Sequence, residues 1–164
     1  MRRKGIVLGL IALLLVTVLS LGCLGNKTET TGTTSSPTPL PTTAVPAAID
    51  LHKQGFAAYS TGNYTAALDL YDRAIAADSG YNRAWIDKGN VLLELNRSAE
   101  AIAVYDVVLE RNTLVPYVWN NRGKALMAVG NYSAARDSFD RALQIAPEFT
   151  EAQENRDRAQ KMLQ

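Results

Sequence analysis

Three glycines with equal spacing constrain the fold of this chain more than any other feature. Gly55, Gly89 and Gly123 follow one another at intervals of 34 residues. The other positions that keep this period hold tryptophan, a small residue or an aromatic residue, namely Trp85 and Trp119; Ala67, Ala101 and Ala135; and Tyr71, Tyr105 and Phe139. A period of this length is typical of stacked structural units that bury their apolar faces only against one another.

Each unit is predicted to contain two antiparallel helices. Apolar residues recur at helical spacing on both sides of a short turn, such as residues 61–63 or 129–131. A glycine inside the first helix costs about 1 kcal/mol relative to alanine. We expect the small residue of the second helix, as at Ala101, to offset this cost by letting the two helices approach closely. The aromatic residue, as at Tyr105, is predicted to fill the space between consecutive units.

The repeated positions resemble those of the tetratricopeptide repeat, whose 34-residue pattern is W-x2-L-G-x2-Y, then A-x3-F, then P. This resemblance divides the chain into three repeats at residues 48–81, 82–115 and 116–149. Residues 150–164 begin another first helix in phase, with a polar outer face that is typical of a capping helix. The resemblance implies an all-α fold, a right-handed solenoid of three helix-turn-helix repeats closed by the capping helix.

The chain begins with a basic segment followed by an apolar one. Arg2, Arg3 and Lys4 precede residues 5–22, which carry no charge. This pattern predicts a signal peptide or an N-terminal hydrophobic anchor helix. An apolar helix of that length spans about 27 Å, close to the ~30 Å of a bilayer core, so cleavage and retention both stay open. Because the positive charges stay on the cytoplasmic side, the rest of the chain is expected to face outward.

The only cysteine of the chain follows this apolar run. Ser20, Leu21, Gly22 and Cys23 resemble the lipobox of prokaryotic lipoproteins, although the leucine and the small residue stand in the reverse of the usual order. The resemblance implies that Cys23 becomes the lipidated N-terminus of a membrane-anchored, extracytoplasmic protein of a prokaryotic cell envelope. An uncleaved anchor with a free thiol and an ordinary cleavage site are the alternatives. Residues 1–23 are therefore interpreted as a signal peptide or membrane anchor.

Residues 24–47 are predicted to form a disordered spacer. They contain eight threonines, four of the six prolines and no aromatic residue. Such a composition buries too little apolar surface to offset the entropy of the chain.

Four N-glycosylation sequons occur in the chain. Asn26 lies in the spacer, whereas Asn63, Asn96 and Asn131 lie at the turns between the two helices of the three units. Sugar attachment is one interpretation of this recurrence. The other is that asparagine suits a turn and serine or threonine suits the first turn of a helix.

Composition and motifs exclude several classes of function. The net charge is only +1, and the part after residue 47 is slightly acidic, which argues against nucleic acid as a partner. One cysteine and one histidine exclude multi-cysteine zinc sites and His-rich metal sites. Neither G-x-S-x-G nor G-x-x-x-x-G-K-[ST] is present. We therefore predict no enzyme activity, catalytic residue, metal, cofactor or small-molecule substrate, and we interpret His52 as a surface residue.

The family fold implies a concave groove, lined by the first helices, that binds a protein or an extended peptide. The positions that project into it are His52, Phe56 and Tyr59 in the first unit; Arg83, Ile86, Asn90 and Leu93 in the second; and Tyr117, Asn120, Lys124 and Met127 in the third. They supply aromatic anchors, two amides for a peptide backbone and two cations. For Ile86, Leu93 and Met127, packing within the stack is the alternative.

One ligand of the family is not expected here. Its members that grip a C-terminal carboxylate use Lys and Asn in the first unit, Asn in the second, and Lys and Arg in the third. The matching positions hold His52, Phe56, Asp87, Tyr117 and Asn121. The favoured function is therefore a membrane-tethered scaffold for another protein or peptide. The alternative is a structural envelope component that self-associates, and the oligomeric state is not predicted.

Overall fold

The computed structural model describes residues 44–164, which form seven α-helices and no strand. The helices are α1 (Ala44–Ser60), α2 (Tyr64–Ala77), α3 (Asn82–Glu94), α4 (Ser98–Arg111), α5 (Pro116–Ala128), α6 (Tyr132–Ile145) and α7 (Thr150–Lys161). The prediction of an all-α stack is confirmed for this part of the chain. The predicted signal or anchor and most of the predicted spacer lie outside the described residues.

The helices stack in pairs along the chain. Helices α1 and α2, α3 and α4, and α5 and α6 pack as neighbours, and α7 packs against both α5 and α6. The first helices of adjacent pairs also touch, because α1 contacts α3 and α3 contacts α5. Among residues 44–164, no helix combines the length and apolarity needed to cross a bilayer.

The start of α1 corrects the predicted end of the spacer. Residues 44–47 were predicted to be disordered but belong to the first turn of this helix. Pro46 is compatible with that position, because the first backbone nitrogens of a helix have no intrahelical acceptor in any case.

An aromatic ring of the second helix lies nearest to each repeated glycine, so the prediction that the small residue faces the glycine is wrong. A Cβ atom added at Gly55 would lie 2.6 Å from Cε1 of Tyr71, and one added at Gly89 would lie 2.5 Å from Cε1 of Tyr105. Gly123 meets Phe139 in the same way. The ring of the second helix therefore lies directly on the glycine of its own unit.

The same rings connect neighbouring units. Tyr105 is completely buried and belongs to one apolar cluster with Val118 and Ala125 of the next first helix. Tyr71 likewise shares a cluster with Val91 of α3. Each ring thus contributes to packing within its unit and across the boundary to the next one.

The tryptophans of the second and third units make a repeated contact with the preceding loop. The indole nitrogen of Trp85 donates to the carbonyl oxygen of Ser79 at 3.0 Å, and that of Trp119 donates to the carbonyl oxygen of Thr113 at 2.8 Å. The loop that enters each first helix is thereby held against the body of that helix.

Ion pairs also cross between units. Lys88 of α3 lies 2.5 Å from Asp72 of α2, and Arg122 of α5 lies 2.6 Å from Asp106 of α4. Because 34 residues separate the two pairs, the contact is a second repeated link between a second helix and the following first helix.

The three turns within units are not equivalent. Asn63 and Asn131 cap α2 and α6, accepting from the backbone nitrogens of Ala66 and Ala134. Asn96 instead occupies the repeat position of Gly62 and Gly130, one residue before that of the capping asparagines, and has a φ of 58°. It takes the left-handed conformation that glycine adopts in the other two turns, and asparagine tolerates this conformation better than most residues.

Candidate functional site

Three connected depressions lie on the side of the stack formed by α1, α3 and α5, and we call them together the first-helix groove. Their volumes are about 340, 420 and 470 Å3 from the N-terminal to the C-terminal end. The first and the second share Arg83 and Asp87, and the second and the third share Asn90. Because neighbouring depressions share these residues, the groove is continuous across the three units.

Most of the predicted groove residues line one of these depressions. They are His52, Phe56, Tyr59, Arg83, Ile86, Asn90, Tyr117 and Lys124, together with Leu93. Ile86 reaches the groove with only 8% of its surface and otherwise belongs to the core. Met127 packs against the core cluster below α7.

Asn120 is not a groove residue, contrary to the prediction. Its side chain is 1% exposed, and its Oδ1 accepts a hydrogen bond from Nδ2 of Asn155 at 3.1 Å. Helix α7 covers this position, so the amide joins two helices instead of facing a ligand. The neighbouring Asn121 lines the groove in its place.

The prediction that His52 is a surface residue is also wrong. The residue is only 8% exposed, and its Nε2 lies 2.7 Å from Oδ2 of Asp87 on α3. The hydroxyl of Tyr81 lies 3.5 Å from Nδ1 on the other side of the ring. The imidazole therefore joins the first two units while one edge borders the groove.

A chain of polar contacts continues from Asp87 across the groove floor. Asn90 donates to Oδ1 of Asp87 at 3.4 Å. Its own Oδ1 accepts from the hydroxyl of Tyr105 at 2.8 Å and from Nδ2 of Asn121 at 2.9 Å. Burial, with a contribution from the Asp87 charge, raises the pKa of Tyr105, so the phenol remains a donor. This network holds Asn90 in one orientation.

The network leaves one acceptor free. Within residues 44–164, the Oδ1 atom of Asn121 has no hydrogen-bond donor, while its Nδ2 is held by Asn90. The residue is half-buried at the wall of the C-terminal depression. Its oxygen is therefore available to accept a hydrogen bond from the backbone N–H of an extended peptide.

Two aromatic side chains stand out from the groove. Phe56 is 55% exposed and Tyr117 is 47% exposed. Phe56 lines the N-terminal depression and Tyr117 the middle one, with Arg83 in the wall between the two depressions. Exposed aromatic residues in a concave polar setting are typical anchors for a protein or peptide ligand.

Lys124, at the C-terminal end of the groove, is paired with the capping helix. Its Nζ lies 3.2 Å from Oε1 of Glu151. Partial burial acts to raise the pKa of Glu151, but hydrogen bonds from Lys124 and Asn120 and the positive charge of Lys124 outweigh it. The pKa of Glu151 is therefore below its ordinary value.

This lowered pKa predicts an acid-sensitive contact between α7 and the groove. The stabilisation is present above the unfolded-state pKa of about 4.3 and is lost as the pH falls through the lower folded-state value. Glu151→Gln should therefore lower the thermal unfolding midpoint by more at pH 7 than at pH 3. Glu154→Gln on the same helix is the matched control. An equal difference between Glu151→Gln and wild type at both pH values would contradict the prediction.

The described residues hold no evident metal site. Between residues 44 and 164, no three side chains of histidine, cysteine, aspartate or glutamate are close enough together to hold an ion. The chemistry that the groove offers is hydrogen bonding, aromatic contact and charge.

The repeat architecture agrees with a family model. The model of the tetratricopeptide repeat matches residues 52–116 and 87–148, which together make up more than half of the chain. The chain belongs to the tetratricopeptide repeat family. The glycine, small and aromatic positions of the sequence are the repeat positions of this family.

Two curated proteins are similar to this tetratricopeptide repeat protein over part of their length. Protein FlbA of Caulobacter vibrioides is 38% identical over 65 residues, which are 40% of this chain and 11% of FlbA. Human protein O-mannosyl-transferase TMTC1 is 32% identical over 109 residues, which are 62% of this chain and 12% of TMTC1. Because the chain spans so little of either relative, their whole-protein activities are not carried over to it.

A solved structure has the same fold. The first tetratricopeptide repeat domain of Spaghetti (RPAP3), bound to the HSP90 peptide SRMEEVD, matches with a TM-score of 0.71 at 21% identity. The match covers 73% of this chain and 94% of that domain.

Proposed function

We propose that this protein is a non-enzymatic scaffold that binds an extended peptide segment of another protein in the first-helix groove. The observation that carries the proposal is the pair of exposed aromatic anchors, Phe56 and Tyr117, in the same groove as the free amide oxygen of Asn121. Side-chain pockets with a hydrogen-bonding group for the backbone are the features that an extended peptide needs.

The fold supports a peptide ligand but not the same one as in the Spaghetti domain. That domain is bound to an HSP90 peptide, so the same fold can accommodate a peptide ligand. The five positions of the carboxylate clamp hold other residues here, and two of them, His52 and Asp87, bond to each other. An internal peptide segment therefore suits this groove better than a C-terminal carboxylate.

Removal of both anchors is expected to weaken ligand binding. The variant Phe56→Ala with Tyr117→Ala should lower the affinity for a partner captured by the full-length protein about tenfold or more, because aromatic residues dominate such interfaces. Titration calorimetry with the isolated partner would measure this. Since both side chains are exposed, the unfolding temperature should change little.

Val129→Ala is the matched control, because this apolar residue is 49% exposed but lies at the turn after α5 and outside the groove lining. The proposal fails if the double variant binds as wild type does.

The proposal includes tethering of the scaffold to the outer face of a prokaryotic membrane. Its support is the basic and apolar N-terminal sequence and the lipobox-like position of Cys23. Intact-mass analysis of the protein purified from its native membrane tests it. A chain that begins at Cys23 and carries a lipid is expected, and a soluble chain without either would contradict tethering. The same masses report any sugar at Asn63 or Asn131.

A second candidate function is self-association, which one exposed side chain favours. Leu114, in the loop before α5, is 73% exposed, whereas the equivalent positions of the first and third units hold Gly80 and Glu148. It lies beside Trp119 and Ile145 in a depression of about 560 Å3. Sedimentation of the full-length protein in detergent tests this function. A dimer that Leu114→Glu converts to monomer would support it, and a wild-type monomer at high concentration would contradict it.

A further inference from the structure

We infer that the wall between the N-terminal and middle depressions binds an acidic side chain, so that the peptide ligand carries Asp or Glu between apolar residues. This inference rests on the proposed function and names the class of peptide. The side chain that would bind the carboxylate is Arg83, which is not one of the carboxylate-clamp positions of the family.

Arg83 differs from the other positively charged residues of the groove because its charge has no partner among residues 44–164. It is exposed and makes no ion pair or side-chain hydrogen bond within residues 44–164. Lys124 is paired with Glu151, and Lys53 lies 3.8 Å from Asp50. The guanidinium of Arg83 therefore has all five of its donors free for a ligand.

The carboxylate that lines both of these depressions together with the arginine already has partners on the protein. Asp87 lines the same two depressions as Arg83, but its Oδ2 contacts His52 and its Oδ1 accepts from Asn90. Both carboxylate oxygens thus have partners on the protein. A ligand carboxylate is the group that complements the remaining positive charge, since arginine binds carboxylates through two parallel hydrogen bonds.

Apolar surface adjoins the arginine on both sides. Phe56 shares the N-terminal depression with Arg83, and Tyr117 shares the middle one. Apolar ligand residues over these rings would exclude water from the ion pair, and a charge interaction strengthens where water is excluded. The expected ligand pattern is therefore an acidic residue with an apolar residue on each side.

The charge preference is confined to this part of the groove. Glu94 lines the C-terminal depression and has no ion pair within the described residues. Its charge contributes, after burial, to raising the pKa of Tyr59 beside it. A uniformly acidic peptide would meet this carboxylate, so the groove favours one acidic residue at Arg83 over a long acidic run.

A peptide-display selection tests the inference. Random 12-residue peptides are selected on the full-length protein in detergent micelles and on the variants Arg83→Glu and Arg83→Gln. Arg141→Glu is the control, because this arginine is exposed on α6 and lies outside the groove. Circular dichroism checks that each variant is folded, and a selected peptide is then synthesised with its acidic residue and with lysine in its place.

The wild type and Arg141→Glu should enrich peptides with an acidic residue between apolar ones. The lysine version should bind the wild type about tenfold more weakly or worse, as expected for loss of a charge-assisted hydrogen bond. In Arg83→Gln this difference should shrink, and in Arg83→Glu it should reverse.

Two other outcomes are distinguishable. The selected peptides could show no preference for an acidic residue and yet lose binding to the variant Phe56→Ala with Tyr117→Ala. That result would overturn the inference but still support the proposed function. If the selected peptides bind the arginine and the aromatic variants as well as they bind the wild type, or if no peptide is enriched, both the inference and the proposed function would be overturned.

Discussion

Tyr105→Ala is expected to destabilise the folded protein by about 3–5 kcal/mol, the range found when a large buried aromatic residue is truncated. The ring is completely buried between α3, α4 and α5. Its removal leaves a cavity over Gly89 and takes a hydrogen bond from Asn90 on the groove floor. Since domains of this size are stable by about 5–15 kcal/mol, the variant should lose a large part of its stability.

Chemical denaturation followed by circular dichroism measures this effect. Tyr117→Ala is the control, because it makes the same change at a residue that is 47% exposed, and it should shift the free energy of unfolding by less than about 1 kcal/mol. Similar losses in the two variants would show that the buried ring does not hold the units together.

Gly89→Ala is expected to destabilise the protein by about 1–3 kcal/mol, although alanine is the better helix former. The new Cβ would lie 2.5 Å from the ring of Tyr105, so one of the two must move. The ring cannot move easily, because it is buried and its hydroxyl is bonded to Asn90. The methyl group therefore strains the contact between α3 and α4.

The sign of this effect depends on the ring and can be reversed. In a Tyr105→Leu background, Gly89→Ala should become neutral or stabilising by up to about 1 kcal/mol, the gain in helix propensity. Gly62→Ala is the control, because its cost comes from a φ of 77° with no neighbour within 4 Å. That cost should be the same in both backgrounds. A Gly89→Ala cost that also persists without the ring would contradict the steric explanation.

Much of the groove could be predicted from the sequence, because the resemblance to the repeat family implies which first-helix positions share a face. Phe56, Arg83, Asn90 and Lys124 were placed on one side by this argument and do line it. The sequence does not reveal, however, that the repeat position shared by His52, Ile86 and Asn120 is covered in every unit, where each residue is at most 8% exposed. Asn120 follows the same spacing and is buried, because α7 packs over it.

The roles of the charged and polar groove residues could not be predicted, because their partners lie on other helices. His52 and Asp87 are 35 residues apart in the sequence. The sequence analysis interprets the first as a surface residue and the second as a clamp position without the usual asparagine, yet their side chains meet at 2.7 Å. The sequence analysis names Asn121 only as a position of the absent carboxylate clamp, yet in the structure its Oδ1 is free to accept a hydrogen bond. Such pairings depend on rotamers and on the offset between neighbouring helices, which periodicity does not contain.

The number of repeats and the pairing of the helices follow from glycine, small and aromatic residues at a constant period, because each unit must bury the same surface against the next. The face that forms the groove follows from the resemblance to the repeat family. The residue that lies on each glycine and the groove side chains that remain unpaired are known only from the packing of the helices. An aromatic ring rather than an alanine occupies the space at Gly89, and Arg83 rather than Lys124 keeps an unpaired charge. Both outcomes depend on contacts between helices, where packing distance and the nearest opposite charge select one arrangement from several that the repeat pattern allows.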